Sequence, residues 1–135
     1  MKLSLKNIYY DDSPISVELQ LEPADQEGWH QFSLRLFAGA KVPVIECRGA
    51  MTNLDVEKLS NKLRAACEDE AVPMEFSPLE PWFTVRTSQL SQSEVECTWI
   101  VDHGMATGKA STETGIAVLL ILTKDQLLKN IEGFC

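Results

Sequence analysis

The sequence predicts an α+β fold: mostly antiparallel sheet(s), with one central helix and a short C-terminal helix. Three observations predict it. Apolar and polar residues alternate through several short segments, the period of a strand with one wet face. One segment, 54–69, changes to spacings of three and four, the period of a helix face. The strand segments come in runs rather than in strict alternation with helices, which disfavours a parallel βαβ sheet.

Leu3, Leu5 and residues 8–10 suggest a first strand, ended by Asp11-Asp12-Ser13-Pro14. Val17, Leu19 and Leu21 alternate with Ser16, Glu18 and Gln20, and residues 22–28 form a turn or loop. Phe32, Leu34 and Leu36 alternate with Gln31, Ser33 and Arg35. Gly39 punctuates, and residues 42–48 return as a strand that Pro43 assigns to an edge or a bulge. In the helix, Val56, Leu59, Leu63, Ala66 and Cys67 share one face, opposite Glu57, Lys58, Asn61, Lys62 and Arg64. Thr52 or Asn53 caps it, and Asp55 sits in the first turn, where the helix dipole favours an acid.

Val72-Pro73 ends the helical stretch. Residues 74–76 form a short strand, 77–81 a rigid turn, and Phe83 and Val85 begin another strand. Val95, Cys97, Trp99 and Val101 then alternate with Glu94, Glu96, Thr98 and Ile100. Residues 103–114, with Gly104 and Gly108, read as a flexible loop; 115–122 are apolar on both faces and read as a central strand covered on both sides. Thr123 and Gln126 before Leu127, Leu128 and Ile131 form a capping-box pattern that starts the terminal helix. The two halves share an element order without a residue-level repeat.

A chain of 135 residues suits one domain, and at this size roughly 65–70% of the unfolded surface is buried, so neither metal nor disulfide is needed for stability. The hydrophobic fraction of 44% and charged fraction of 24% are those of a globular protein. The formal net charge of −8 disfavours nucleic acid and anionic membranes as partners and favours basic ones. The N-terminus lacks an apolar stretch of signal-peptide length, and the longest apolar run, 116–122, is far too short to span a bilayer. Cys47, Cys67, Cys97 and Cys135 are widely spaced, which fits reduced thiols and a cytoplasmic location; Cys135 is placed to cross-link chains in air.

No motif for catalysis, cofactor or metal stands out. The two histidines, His30 and His103, have no evident partner in sequence, and adjacent Asp102 and His103 point apart in a strand. Cys47, Cys67 and Cys97 fall on apolar faces and behave as small hydrophobes. Residues 104–111 look like a phosphate-binding loop but have three residues between the glycines and Ala110 after Lys109, and they lead into a strand rather than a helix. No Gly-x-Ser-x-Gly elbow is present.

What remains is charge and aromatic surface. Acidic residues gather at three predicted turns or helix ends: Asp11 and Asp12; Glu22, Asp25 and Glu27; Glu68, Asp69 and Glu70. If two of these share a face, they form a negative patch that steers a basic partner. Trp99 falls on the core side of its strand, whereas Trp82, after Pro81 and opposite in phase to Phe83, is a binding candidate that reads as packed, with an exposed anchor as the alternative.

The run from Trp29 to Leu36, the helix Asn53-Leu54-x-Val56-Glu57-x-Leu59-x-x-x-Leu63, and the stretch Phe76-x-Pro78-Leu79-Glu80-Pro81-Trp82 before an alternating strand resemble the WapI-like immunity proteins of bacterial polymorphic and contact-dependent toxin systems. The resemblance spans nearly the whole chain in layout. It implies a non-enzymatic cytoplasmic inhibitor that binds a cognate toxin domain, often a basic nuclease, and blocks its active site or access to substrate. A generic adaptor or chaperone-like module is the alternative reading. The oligomeric state is left open.

Overall fold

Alternation of apolar and polar side chains sets the strands. The computed structural model describes residues 1–9 and 11–134; Tyr10, expected in the first strand, and Cys135 lie outside them. β1 (Lys2–Lys6), β2 (Ile15–Leu21), β3 (Trp29–Ala38) and β4 (Ile45–Thr52) form one antiparallel sheet in chain order. Along β3, His30, Phe32, Leu34 and Leu36 are buried while Gln31 and Arg35 are exposed, as the period of two requires. β5 (Met74–Phe76), β6 (Phe83–Gln89), β7 (Glu94–Asp102) and β8 (Gly115–Thr123) form a second antiparallel sheet, also in chain order.

A helix follows the last strand of each sheet directly, with a threonine at the junction. At α1 (Asn53–Ala65), Thr52 Oγ1 accepts from the Asp55 N–H (3.1 Å), and the Asp55 carboxylate accepts from the Thr52 N–H (2.9 Å). This reciprocal box satisfies two backbone donors that the helix start would otherwise orphan. The second Asp55 oxygen accepts from the Leu79 N–H (3.0 Å) and so ties the 77–81 turn to the helix. At α3 (Lys124–Phe134), Thr123 Oγ1 accepts from the Gln126 N–H (3.1 Å), but the Gln126 side chain donates to the Lys6 carbonyl (3.2 Å) instead of closing the box. A single helical turn, α2 (His103–Ala106), lies between β7 and β8.

The buried faces of both sheets, α1 and α3 join in one apolar cluster. Phe83 is its hinge point: its ring stacks on Trp99 of the same sheet (centroids 5.7 Å, 21°) and meets Phe32 of the other edge-on (5.5 Å, 75°). Trp82, beside it, meets Phe32 edge-on at 6.4 Å. No helix among the described residues is long and apolar enough to cross a membrane.

Four expectations need correction. β1 stops at Lys6; Ile8 leaves the first sheet, and its N–H donates to the Ile121 carbonyl of β8 (3.0 Å). β4 begins at Ile45 rather than Val42, with Val42, Pro43 and Val44 exposed, and it runs through Gly49 to Thr52 because β3 offers a partner as far as Trp29. α1 ends at Ala65, and the next backbone donors, from Cys67 and Glu68, tighten to carbonyls three residues back. β8 is not central: it is the edge of its sheet, and Ala117 and Leu119 on its outer face are exposed. Apolar residues on both faces suggested two covering layers, but only the inner face is covered.

Gly49 sits beneath Trp82, where an added Cβ would come within 2.4 Å of the indole ring. Gly49→Val is therefore expected to destabilise the fold by about 1–3 kcal/mol through overpacking, and Thr52→Ala by about 1 kcal/mol through loss of the cap. Urea unfolding of the two variants against the parent checks both values.

Candidate functional site

Ion pairs on the outer sheet faces engage Lys2, Arg35, Arg48 and Arg86, four of the twelve Lys and Arg side chains. Arg35 and Glu46 stand opposite each other on β3 and β4 (3.7 Å), and Arg48 reaches the same carboxylate at 2.6 Å. The Arg48 hydrogen bond is the main cause holding the Glu46 carboxyl below the usual range. On the second sheet Arg86 faces Glu75 across β6 and β5 (2.7 Å), and Lys2 pairs with Glu18 across β1 and β2 (3.5 Å). Each exposed pair is worth little to stability. Together they compensate Glu18, Glu46 and Glu75; Glu94 and Glu96 on β7 have no ion-pair partner among the described residues.

A further set of carboxylates lies in the turns. Asp11, Asp12, Glu22, Asp25, Glu27, Glu68, Asp69 and Glu70 are all exposed. Asp11 pairs with Lys6 at 3.1 Å; the other seven have no ion-pair partner among the described residues. Asp25 has a structural duty as well, since its Oδ1 accepts from the Glu27 and Trp29 N–H groups (2.9 Å each) and shapes the β2–β3 turn.

The three acidic groups do not form one patch. The 11–12 and 22–27 turns lie at opposite ends of β2, a strand of seven residues, hence about 23 Å apart at ~3.3 Å per residue. Hydrogen bonds bring the 68–70 segment to the end that carries Asp11 and Asp12. The Tyr9 hydroxyl donates to the Glu94 carboxylate (2.9 Å), the Lys124 N–H donates to the Ser93 carbonyl (2.9 Å), and Lys124 Nζ donates to the Glu68 carbonyl (3.2 Å). Glu94 and Asp125, which no sequence pattern singles out, join that end. The Glu94 hydrogen bond holds the Tyr9 phenol above its usual value.

Trp82 is half-buried, packed over Gly49 and Phe32, with its Nε1–H donating to the Glu80 carboxylate (3.2 Å). Phe32 pairs with Leu21, next to Glu22, so Trp82 belongs to the end with Glu22, Asp25 and Glu27. The chain therefore presents two acidic ends, and the aromatic candidate accompanies only one of them.

Residues 103–114, expected to be a flexible loop, are instead organised around Asp102. Its carboxylate, buried at the end of β7, accepts from the Met105 N–H (3.0 Å), the Ser111 hydroxyl (2.9 Å), and the Thr112 and Glu113 N–H groups (3.2 and 2.9 Å). Burial works to raise the Asp102 carboxyl, but these four donors outweigh it and hold it below the ordinary range. The groove beside it, about 460 Å³, is lined by Glu75, Ser77, Thr84, Arg86, Asp102 and Ser111. Arg86 and Asp102 are already engaged there, by Glu75 and by the loop.

His30 bridges the Glu22 carbonyl (2.8 Å) and Asn53 Oδ1 (2.6 Å), a structural tie between the β2–β3 turn and α1. Burial pushes the Cys47 thiol up to about 11 and the Cys97 thiol to about 12, which suits packing rather than reactivity. No cluster of three or more His, Cys, Asp or Glu side chains suited to a metal occurs among the described residues.

No family model and no curated protein matches the chain. Among solved structures it is similar to one described as "Structure of the plant transcriptional regulator PBF-2", at 12% identity and a TM-score of 0.49, over 99% of this chain and 79% of that one. A likeness at that level bears on neither function nor ligand.

Asp102→Ala is expected to speed amide exchange across residues 103–114 and to cost about 1–3 kcal/mol, because it strands several donors. The carboxyl is depressed in the folded protein, so its contribution is full above the unfolded value of about 3.9 and is lost as pH falls through the folded value. Hydrogen exchange of parent and variant at neutral pH and again below about pH 3.9 checks both points; the parent loop loosens in the acidic range and the variant loop does not respond.

Proposed function

We propose that this chain is a non-catalytic inhibitor of the immunity type, which binds a basic toxin domain and obstructs its active site or the approach of its substrate. The observation that carries the reading is the distribution of charge. Glu18, Glu46 and Glu75 on the sheet faces have arginine or lysine partners, whereas seven of the eight turn carboxylates, and Glu94 and Glu96 on β7, have none among the described residues. Unpaired carboxylates on exposed turns attract a basic surface over a Debye length and raise the encounter rate. A nuclease cleft that accepts phosphates accepts carboxylates by the same electrostatics. The resemblance to WapI-like immunity proteins supplies the biological setting.

Of the two ends, the one with Asp11, Asp12, Glu68, Asp69, Glu70, Glu94 and Asp125 gathers more carboxylate and is the first choice for the contact. The other offers Glu22, Glu27 and Trp82, a smaller group with an aromatic flank. A generic adaptor would use the same surfaces without a dedicated partner.

The test is affinity capture from the native source, washed through a salt series. One basic protein, retained at low salt and released as salt rises, is the expected result. Capture of several unrelated proteins would favour the adaptor, and capture of one partner insensitive to salt would remove the electrostatic mechanism.

A further inference from the structure

The two sheets leave four edges, formed by β1, β4, β5 and β8. An exposed edge presents unpaired N–H and C=O groups and invites another strand, and proteins blunt it with charge or brevity. β1 carries Lys2 and Lys6, β4 carries Glu46 and Arg48, and β5 has only three residues. β8 has none of these devices. It runs nine residues, Gly-Ile-Ala-Val-Leu-Leu-Ile-Leu-Thr, without one charged side chain.

Which β8 groups point outward follows from the hydrogen bonds at its two ends. His103 N–H donates to the Thr114 carbonyl, and Lys124 N–H to the Ser93 carbonyl, so even-numbered residues face β7. Odd-numbered residues face away. Ile121 shows what the edge accepts: its N–H donates to Asn7 Oδ1 (2.7 Å), and its carbonyl accepts from the Ile8 N–H (3.0 Å). The chain itself therefore covers the edge at Ile121. Gly115, Ala117 and Leu119 have no such partner among the described residues. The bare half is also apolar, with Ile116 58% and Leu119 46% exposed.

We propose that this bare half-edge pairs with the same segment of a second copy, antiparallel about a two-fold axis at Ala117, joining two four-stranded sheets into one of eight strands. An antiparallel edge is self-complementary under a two-fold axis, so one strand supplies both sides of the contact. With the axis at Ala117, Ala117 faces Ala117 of the second copy, and Gly115 faces Leu119 in both directions. Each facing pair exchanges its outward N–H and C=O. The small side chains of Gly115 and Ala117 leave room for Leu119 on the outer face, and Ile116 is brought beside Val118 of the second copy on the inner face.

An axis nearer Ile121 would drive the second copy into residues 7 and 8. At the other end Glu113 turns its N–H back to Asp102 and its backbone into the left-handed region (φ 54°), which ends the pairing segment. Charge selects the same contact: two chains of net charge −8 repel over most of their surfaces, and this edge is where they meet without charged side chains. None of the acidic residues in the proposed toxin contact takes part, so the two proposals stand or fall separately.

The test is sedimentation equilibrium of the whole chain from micromolar to millimolar concentration, with a thiol reductant present so that Cys135 does not cross-link. The apparent mass is expected to rise from 15.1 kDa towards twice that, more readily at high salt, where repulsion is screened. Leu119→Lys places a charge at the seam, and Ala117→Pro removes an outward N–H that the monomer does not use. Each is expected to weaken association at least tenfold, and amide exchange at Ala117 and Leu119 in the parent should slow with concentration. A chain that stays at 15.1 kDa throughout overturns the proposal. So does a dimer that persists in both variants or leaves those two amides unprotected.

Discussion

Each sheet has one apolar face that it cannot bury alone, and the contact that resolves this is Phe83. Its ring lies between Trp99, its neighbour on the second sheet, and Phe32 from the first. Aromatic contacts of this kind contribute about 0.5–1.5 kcal/mol each beyond the area they bury. Their greater consequence is positional. They fix the approach of the sheets, which places Trp82 over Gly49 and brings residues 7 and 8 against β8. The same arrangement sets one helix after each fourth strand, capped by Thr52 and Thr123, and packs both helices into the shared core.

With the apolar faces committed inward, the outer faces and the turns carry the charge, and they carry it differently. Strand pairing places Arg35 opposite Glu46 and Arg86 opposite Glu75, so register compensates those carboxylates, whereas Glu96 faces Ser88 and Ile121. Turns have no such register. Carboxylates at 11–12, 22–27 and 68–70 stay exposed and largely uncompensated, and they gather at the two ends. A surface divided in this way suits recognition of a basic protein at one end, while the neutral β8 edge lies apart from it.

Much of this architecture is written locally. Alternation located the strands, the three-four spacing located α1, the candidate caps Thr52 and Asn53 marked its start, and the Thr-x-x-Gln pattern marked that of α3. Features that depend on distant partners were not legible. Residues 115–122 look buried on both faces because edge position is decided by sheet order, not by the strand. Residues 103–114 look loose because their anchor, Asp102, is effective only once the chain returns to it at Ser111, Thr112 and Glu113. The sequence left Trp82 between packed and exposed because Gly49, thirty-three residues earlier, supplies the space it fills. Of the site, the sequence supplied the acidic residues but not their division between two ends, nor the contribution of Glu94 and Asp125.

The claim on which this account rests is that carboxylates at the turns, and not those on the sheet faces, recognise the partner. The most direct measurement is the association rate of the captured basic protein with two variants. One reverses Glu68, Asp69 and Glu70 to lysine; the other exchanges Glu75 and Arg86, which keeps that face's charge. A fall of about tenfold or more for the first and little change for the second is the result the account predicts, since steering acts mainly on the rate of encounter. Equal rates for parent and charge-reversed chain, or a loss confined to the exchanged pair, would contradict it.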